Sequence, residues 1–239
     1  MKQIKQNIRW FERRGAFSYL NIDQDNIIRI RKVENYLSNY IKKSTAPIKL
    51  LDIGCGDGFI GKKFQDLGYA VYGIDVSTKN IKLAKKKDIK ATTADALEKL
   101  PYKDNYFDIV FAGEIIEHLF DTRAFLNNIY RVLKPSGQLI VTTPNLVHLP
   151  DRLKFLCGKS PLQVSPLHEH LNLHIRPFTH NTLVSALKEC RFEVRKFEST
   201  LVVFARDPQD PEQITSSSKL LAELFPKLGS FLIVYAFKM

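Results

Sequence analysis

Residues 112–119 read AGEIIEHL, and three of these side chains can do chemistry. Glu114, Glu117 and His118 stand at i, i+3 and i+4, a spacing that gives them one face if the segment is helical. Two carboxylates and an imidazole can ligate a divalent ion, with Mg²⁺ or Mn²⁺ favoured by the oxygen donors and Zn²⁺ less so without thiolates. Such an ion would lower the pKa of a substrate hydroxyl. Without a metal, His118 can act as a general base, because an unperturbed imidazole titrates near working pH. A third reading is structural, with Glu117 capping or pairing locally. Downstream, LHEHLNLHIRPFTH adds His168, His170, His174 and His180. Their spacing across a proline-punctuated loop is not that of a preformed tetrahedral site, so solvent-facing or substrate-contacting roles are expected of them as a group.

A second chemical stretch is LDIGCGDGFIG, residues 51–61, an apolar run that ends in an acid and then in four glycines within eight residues. Glycines at that density allow a tight strand-to-helix turn and close backbone approach to a ligand. Gly56, Gly58 and Gly61 fit the dinucleotide pattern G-x-G-x-x-G, while Asp52, Gly54, Gly56 and Gly58 fit D-x-G-x-G-x-G. Either reading expects an acid at the end of the next strand to accept from ribose hydroxyls, and Asp75 in YGID supplies it.

These residues need elements to hold them. From Ile48 onward, strand-like runs alternate with helical patterns: IKLLDI, AVYGID, IKATTA, FDIVFAG, GQLIVTT, FEVRKFES and FLIVYAF give seven strands. The alternation predicts an α/β fold with a mostly parallel sheet and helices on both faces. Helices are expected over residues 58–67, 78–87, 114–133, 179–190 and 218–224. Residues 23–43 place Ile27, Ile30, Val33, Leu37, Tyr40 and Ile41 at three- and four-residue spacing, which predicts an amphipathic helix acting as a lid or as a packing helix. The expected organisation is an N-terminal helical segment over 1–45 and a core over 46–239. Residues 146–176 form an insertion above the strand ends, whose apolar members (Leu146, Val147, Leu149, Leu153, Phe155, Leu156) could line a pocket.

Composition narrows the class. With 239 residues, 44% hydrophobic and 26% charged, the chain can bury one substantial core. The net charge of +11 is local: residues 1–45 carry 10 basic and 4 acidic side chains, residues 79–90 carry 6 and 1, and the rest balance. Such clusters can steer an anionic partner, RNA included, or be solvated helix faces. No aromatic-interleaved basic motif of an RNA-binding module is visible. Three cysteines (Cys55, Cys157, Cys190) without CxxC spacing suggest reduced thiols. No run approaches membrane-spanning length, so no transmembrane segment and a cytoplasmic location are expected.

Asp52 with its glycines, Asp75, Asp95 in TADALEKLPYKDNYFD, the EIIEHL segment and YRVLKPSGQLIVTTPN together resemble the class I S-adenosylmethionine-dependent methyltransferases, strongly over 48–145. The resemblance implies a Rossmann-like fold. It also implies that Asp52, Gly54, Cys55, Gly56 and Gly58 hold the methionine part of S-adenosylmethionine, and that Asp75 and Val76 hold ribose and adenine. Asp95 and Ala96 would meet the adenine edge, with Gly113 near the cofactor's amino acid. EIIEH also resembles an element of the ubiquinone-pathway O-methyltransferases and of the small-RNA 2′-O-methyltransferases, the latter adding a distal histidine. His174 is the best placed for that role, with His170 second. The metal set so implied is Glu114, Glu117, His118 and His174, and the catalytic pair His118 with Glu117. The function expected is O-methylation of a small-molecule or lipid-intermediate hydroxyl. The alternatives are a metal-dependent RNA 2′-O-methyltransferase and, remotely, a non-catalytic S-adenosylmethionine-binding partner protein.

Overall fold

Why the chain folds as layers is visible in the alternation of its strands. On the parallel strands, consecutive apolar residues face opposite sides of the sheet, and each side has helices to cover it. The computed structural model describes residues 24–42, 46–161, 164, 174–202 and 216–239. Helix α1 (Gln24–Ile41) precedes β1 (Lys49–Ile53), α2 (Phe59–Asp66), β2 (Ala70–Asp75), α3 (Thr78–Lys85), β3 (Lys90–Thr93) and β4 (Phe107–Gly113). A 3-10 turn (Ile116–His118), α4 (Thr122–Val132), β5 (Leu133–Pro144), α5 (Leu149–Leu156), α6 (His180–Glu189) and β6 (Phe192–Ser199) follow. Helix α7 (Ser216–Leu224), a second 3-10 turn (Pro226–Leu228) and β7 (Phe231–Lys238) complete the order.

The seven strands form one sheet in the order β3-β2-β1-β4-β5-β7-β6. Pairs β1·β2, β1·β4, β2·β3 and β4·β5 are parallel, and β7 runs antiparallel to both its neighbours. Leu51, Ile53, Val110, Leu139, Val141 and Val234 join α4 and α6 on one face. Leu50, Ile109, Phe111, Ile140 and Tyr235 join α1, α2 and α3 on the other. The expected Rossmann-like sheet with helices on both faces is therefore the observed architecture. In register, Ile53 lies opposite Ile74 and Ala112, and Gly113 opposite Thr142. The carboxyl ends of β1, β2, β4 and β5 thus emerge along one edge, where ligands bind in open α/β sheets.

Of the two roles weighed for the N-terminal helix, packing is the one its described side chains perform. Ile30, Val33 and Leu37 are buried against Leu50, Phe64 and Phe111, and Tyr36 stacks on Tyr235 with centroids 4.1 Å apart. Residues 1–23 lie outside the described chain.

The helix expected over 114–133 is corrected. Glu114 takes a left-handed φ of 55° and Leu119 an extended conformation, so only a 3-10 turn forms between them. Asp121 then starts α4 by accepting from the backbone N–H of Ala124 at 2.8 Å. The insertion expected after β5 begins with α5. Of its apolar residues, Leu153, Phe155 and Leu156 are 45%, 51% and 83% exposed.

Candidate active site

A cavity opens at the strand-end edge, and its floor is laid by the turn after β1. Gly54, Gly56 and Gly58 all have positive φ (75°, 53° and 79°), a conformation that side chains rarely adopt. The backbone N–H groups of Gly54 and Cys55 donate to the Ile74 carbonyl at 2.8 and 3.0 Å, which clamps the turn to β2. Nothing lies within 4 Å of where a Cβ on Gly56 would stand, so its backbone faces open space. A Cβ on Gly58 would sit 3.0 Å from the Ala84 backbone, and that glycine is spent on packing α2 against α3.

Asp75 ends β2 with both carboxylate oxygens engaged. Oδ1 accepts from Ser77 N at 2.8 Å and Oδ2 from Gly56 N at 3.0 Å. Burial raises its pKa, opposed by those hydrogen bonds and by Asn80. The carboxylate is thereby fixed in orientation at the cavity wall. Asp95 is held by Leu97 N, which donates to its Oδ1 at 2.9 Å, and it lines the cavity with Val76 and Ala96.

Five residues expected to bind the cofactor are not among those lining the cavity: Asp52, Cys55, Gly56, Gly58 and Gly113. Asp52 is 2% exposed, and its Oδ2 has no hydrogen-bond partner. Burial first, and then the Asp75 charge, push its carboxyl up to about 7. Cys55 is packed behind β2, its Sγ 2.7 Å from where a Cβ on Gly73 would stand.

On the cavity's far side the three residues of EIIEH part ways. Glu114 accepts from Thr142 Oγ1 at 3.0 Å and lies 3.8 Å from Arg29, a buried arginine on α1 that also donates to Thr142 Oγ1 at 2.8 Å. Glu117 is 1% exposed, with Oε2 accepting from Thr143 Oγ1 at 2.9 Å and Oε1 unpartnered by any hydrogen bond. Desolvation pushes its carboxyl up to about 7. His118 Nε2 lies 3.9 Å from Glu117 Oε1, and its ring lines the cavity.

His174 reaches this place from far along the chain by a backbone device. Ile175 N and Arg176 N both donate to the Glu117 carbonyl, at 2.9 and 3.0 Å. The ring of His174 then stands edge-on to that of His118, centroids 4.8 Å apart. One ligand atom each from Glu117, His118 and His174 lie within 4.8 Å of one another. Of the four ligands expected, the structure brings Glu117, His118 and His174 together, while the Glu114 carboxylate meets Thr142 and Arg29. His180 is turned away against Phe197, and His168 and His170 lie outside the described residues.

Sequence reading missed Arg29, Thr142 and Thr143. The threonine pair at the end of an otherwise apolar strand was a usable signal, since two buried hydroxyls need partners. In α1, Arg29 stands four residues before Val33 and eight before Leu37, a spacing that Arg31 lacks and that was a second usable signal.

The arrangement suits S-adenosylmethionine: an apolar slot between Ile74, Val76 and Ala96, acids at its polar edge, an open glycine backbone and an orphaned buried carboxylate oxygen beside it.

Comparison with known proteins agrees. A methyltransferase-domain model matches residues 51–141. Over 145 residues the chain is 36% identical to a ubiquinone biosynthesis O-methyltransferase of Pelagibacter ubique, covering 57% of this chain and 60% of that one. Over 173 residues it is 32% identical to a mitochondrial ubiquinone biosynthesis O-methyltransferase of Rattus norvegicus, covering 67% and 50%. The chain therefore spans between half and 60% of the length of these relatives. A solved S-adenosylmethionine-dependent methyltransferase from Archaeoglobus fulgidus shares the fold at TM-score 0.59 and 23% identity, covering 90% of this chain and 97% of its own. Residues 51–141 thus carry a methyltransferase domain on a class I methyltransferase fold, and the chain is similar to the ubiquinone-pathway O-methyltransferases.

Proposed function

We propose that this chain transfers a methyl group from S-adenosylmethionine to a hydroxyl of a small-molecule or lipid-intermediate acceptor. The observation that carries the reading is His118, which lines the cavity beside the buried Glu117 carboxylate and the His174 ring. The names of the relatives support O-methylation, and the apolar wall of Ile115, Leu119 and Phe120 supports a largely apolar acceptor. Three cysteines not joined by disulfides fit a cytoplasmic location.

When bound, S-adenosylmethionine supplies an electrophilic methyl on a sulfonium sulfur. In this reading Asp75 would hold the ribose hydroxyls, and Val76, Asp95 and Ala96 would hold the adenine. The Gly54–Gly58 turn, with Asp52 and Gly113, would hold the methionine part. His118 takes the acceptor hydroxyl proton as the oxygen attacks, and Glu117 beside it favours the imidazolium that forms. The walls exclude water and hold the hydroxyl in line with the methyl.

Glu117, His118 and His174 also fit a divalent cation, which would lower the pKa of the hydroxyl. Two imidazoles and one carboxylate form a more nitrogen-rich set than the sequence implied, which moves the fit from Mg²⁺ toward Mn²⁺ and other transition ions.

The test is transfer of labelled methyl into cell extract, with and without EDTA, followed by separation into lipid, small-molecule, RNA and protein fractions. Label is expected in the lipid or small-molecule fraction and lost with His118→Ala, while binding of S-adenosylhomocysteine persists. Loss of label on chelation, restored by Mn²⁺, would support the metal. Label confined to RNA or protein, or full turnover by His118→Ala, would overturn the reading.

A further inference from the structure

The lysines that follow Asp75 look alike in the sequence, yet one of them is placed differently from the rest. Lys79, Lys82, Lys85 and Lys86 are exposed, whereas Lys87 is half-buried and reaches the turn after β1. Its ammonium donates to Asp57 twice, to the backbone carbonyl at 2.8 Å and to Oδ2 at 2.6 Å. The backbone at the end of α3 holds it there. Asp88 takes a left-handed φ of 61°, and Ile89 N donates back to the Ala84 carbonyl at 3.3 Å. Gln65 of α2 donates to the Asp88 carbonyl at 3.2 Å, which ties the end of α3 to α2.

Asp57 has two duties in this turn. Gly58 stands at the N-cap of α2 with no side chain to cap it, and a Cβ there would meet the Ala84 backbone at 3.0 Å. Asp57 caps in its place, with Oδ1 accepting from Phe59 N at 3.1 Å. Its other oxygen and its carbonyl fall to Lys87, and Gly58 N donates to the Cys55 carbonyl at 3.0 Å. The peptide between Asp57 and Gly58 is therefore bonded on both sides. Earlier in the turn, Gly54 N and Cys55 N donate to the Ile74 carbonyl, and Gly56 N to Asp75 Oδ2. From Gly54 to Phe59, Asp57 N–H is the one backbone donor with no acceptor among the described residues. It adjoins Gly56, whose backbone faces open space. A fixed, unused N–H in a turn of left-handed residues suits an anionic group of a ligand.

We propose that Lys87 is a positioning residue for the cofactor: by holding the carbonyl and carboxylate of Asp57, it sets the turn that offers the Asp57 N–H to the carboxylate of the methionine part. This rests on the assignment of the Gly54–Gly58 turn to that part of S-adenosylmethionine. It makes Lys87 matter to the amino-acid end of the ligand and not to its adenosine.

Calorimetry on the full chain, with S-adenosylhomocysteine and with adenosine, tests it. Lys87→Met should weaken S-adenosylhomocysteine about tenfold and leave adenosine affinity unchanged. Lys87→Arg, which keeps a cation within reach of Asp57, should retain most of the affinity. Lys82→Met removes an equal charge from the exposed face of α3 and should alter neither ligand. Should Lys87→Met fail to fold, Asp57→Asn reads the same contact while sparing the bond to Phe59 N, and it too should weaken S-adenosylhomocysteine alone. The proposal fails if Lys87→Met binds S-adenosylhomocysteine as the native chain does. It fails equally if adenosine weakens by the same factor, which would make the contact one of the fold, or if Lys82→Met has the same effect, since charge alone would then account for it. A native chain that binds no S-adenosylhomocysteine would overturn the assignment of the turn and this proposal together.

Discussion

Asp75 and Asp52 are neighbouring acids with opposite situations. Asp75 has its carboxylate oxygens bonded to Ser77 N and Gly56 N, so it can receive a ligand without reorganising. Replacing it with alanine removes charged acceptors worth about 1.5–3 kcal/mol each, and S-adenosylhomocysteine affinity measured by calorimetry should fall at least about tenfold. Unaltered affinity would remove Asp75 from the site. Asp52 has an orphaned oxygen and a carboxyl raised from 3.8 to about 7, chiefly by burial. A raised carboxyl favours the folded state while protonated, so the stability it confers is complete below about 4 and is lost as pH climbs through about 7. Thermal unfolding of the ligand-free chain should therefore show a falling midpoint between pH 5 and pH 8, and Asp52→Asn should make that slope shallower, with Glu117 supplying part of what remains. An identical slope in the variant would mean the carboxyl ionises at its ordinary pH. The acids themselves were readable from sequence because each ends a strand before a turn. The orphaning of Asp52 was not, since it depends on the packing of α2 over the β1 end.

At the scale of elements, strand order and helix placement were legible because period-two and period-3.6 patterns alternate cleanly from Ile48 to Leu139. What escaped was local backbone. The left-handed turn at Glu114 breaks a helical pattern that Ile115, Ile116 and Leu119 otherwise support, and it separates Glu114 from Glu117 and His118. His174 joins the latter two through its neighbours' bonds to the Glu117 carbonyl, a pairing invisible to spacing. Helix α1 carries a comparable tertiary secret in Arg29. Its guanidinium bridges Asn26, Thr142 and the vicinity of Glu114, and so ties α1 to the ends of β4 and β5. Arg29→Ala would leave Glu114 without its cation. The expected loss is on the order of 2–3 kcal/mol in urea unfolding, below the range for a fully buried pair because Glu114 keeps 24% of its side chain open. Combining it with Glu114→Gln should recover part of that loss, whereas strictly additive losses would deny the coupling.

For the whole molecule, the sheet divides two cores, and the cavity draws on both sides of that division. Asp95 and Ala96 belong to loops over the face covered by α4 and α6, while Gly54 and Asp75 anchor the turns leading into α2 and α3 on the other. A ligand lying across this edge touches parts that must all be in place at once, so it should bind the folded chain and have no site on the unfolded one. Mass action then sets the size of the effect. At about a hundredfold excess over its Kd, S-adenosylhomocysteine should stabilise folding by about 2.7 kcal/mol, which for a chain of this length is roughly 5 to 10 °C in Tm. Adenosine at the same concentration, which reaches the Asp75 and Asp95 side without the amino-acid end, should give a smaller shift. Equal shifts would mean that the turn at Gly54–Gly58 contributes nothing to recognition. A shift with S-adenosylhomocysteine that survives Asp75→Ala at full size would place the ligand somewhere other than the strand-end cavity.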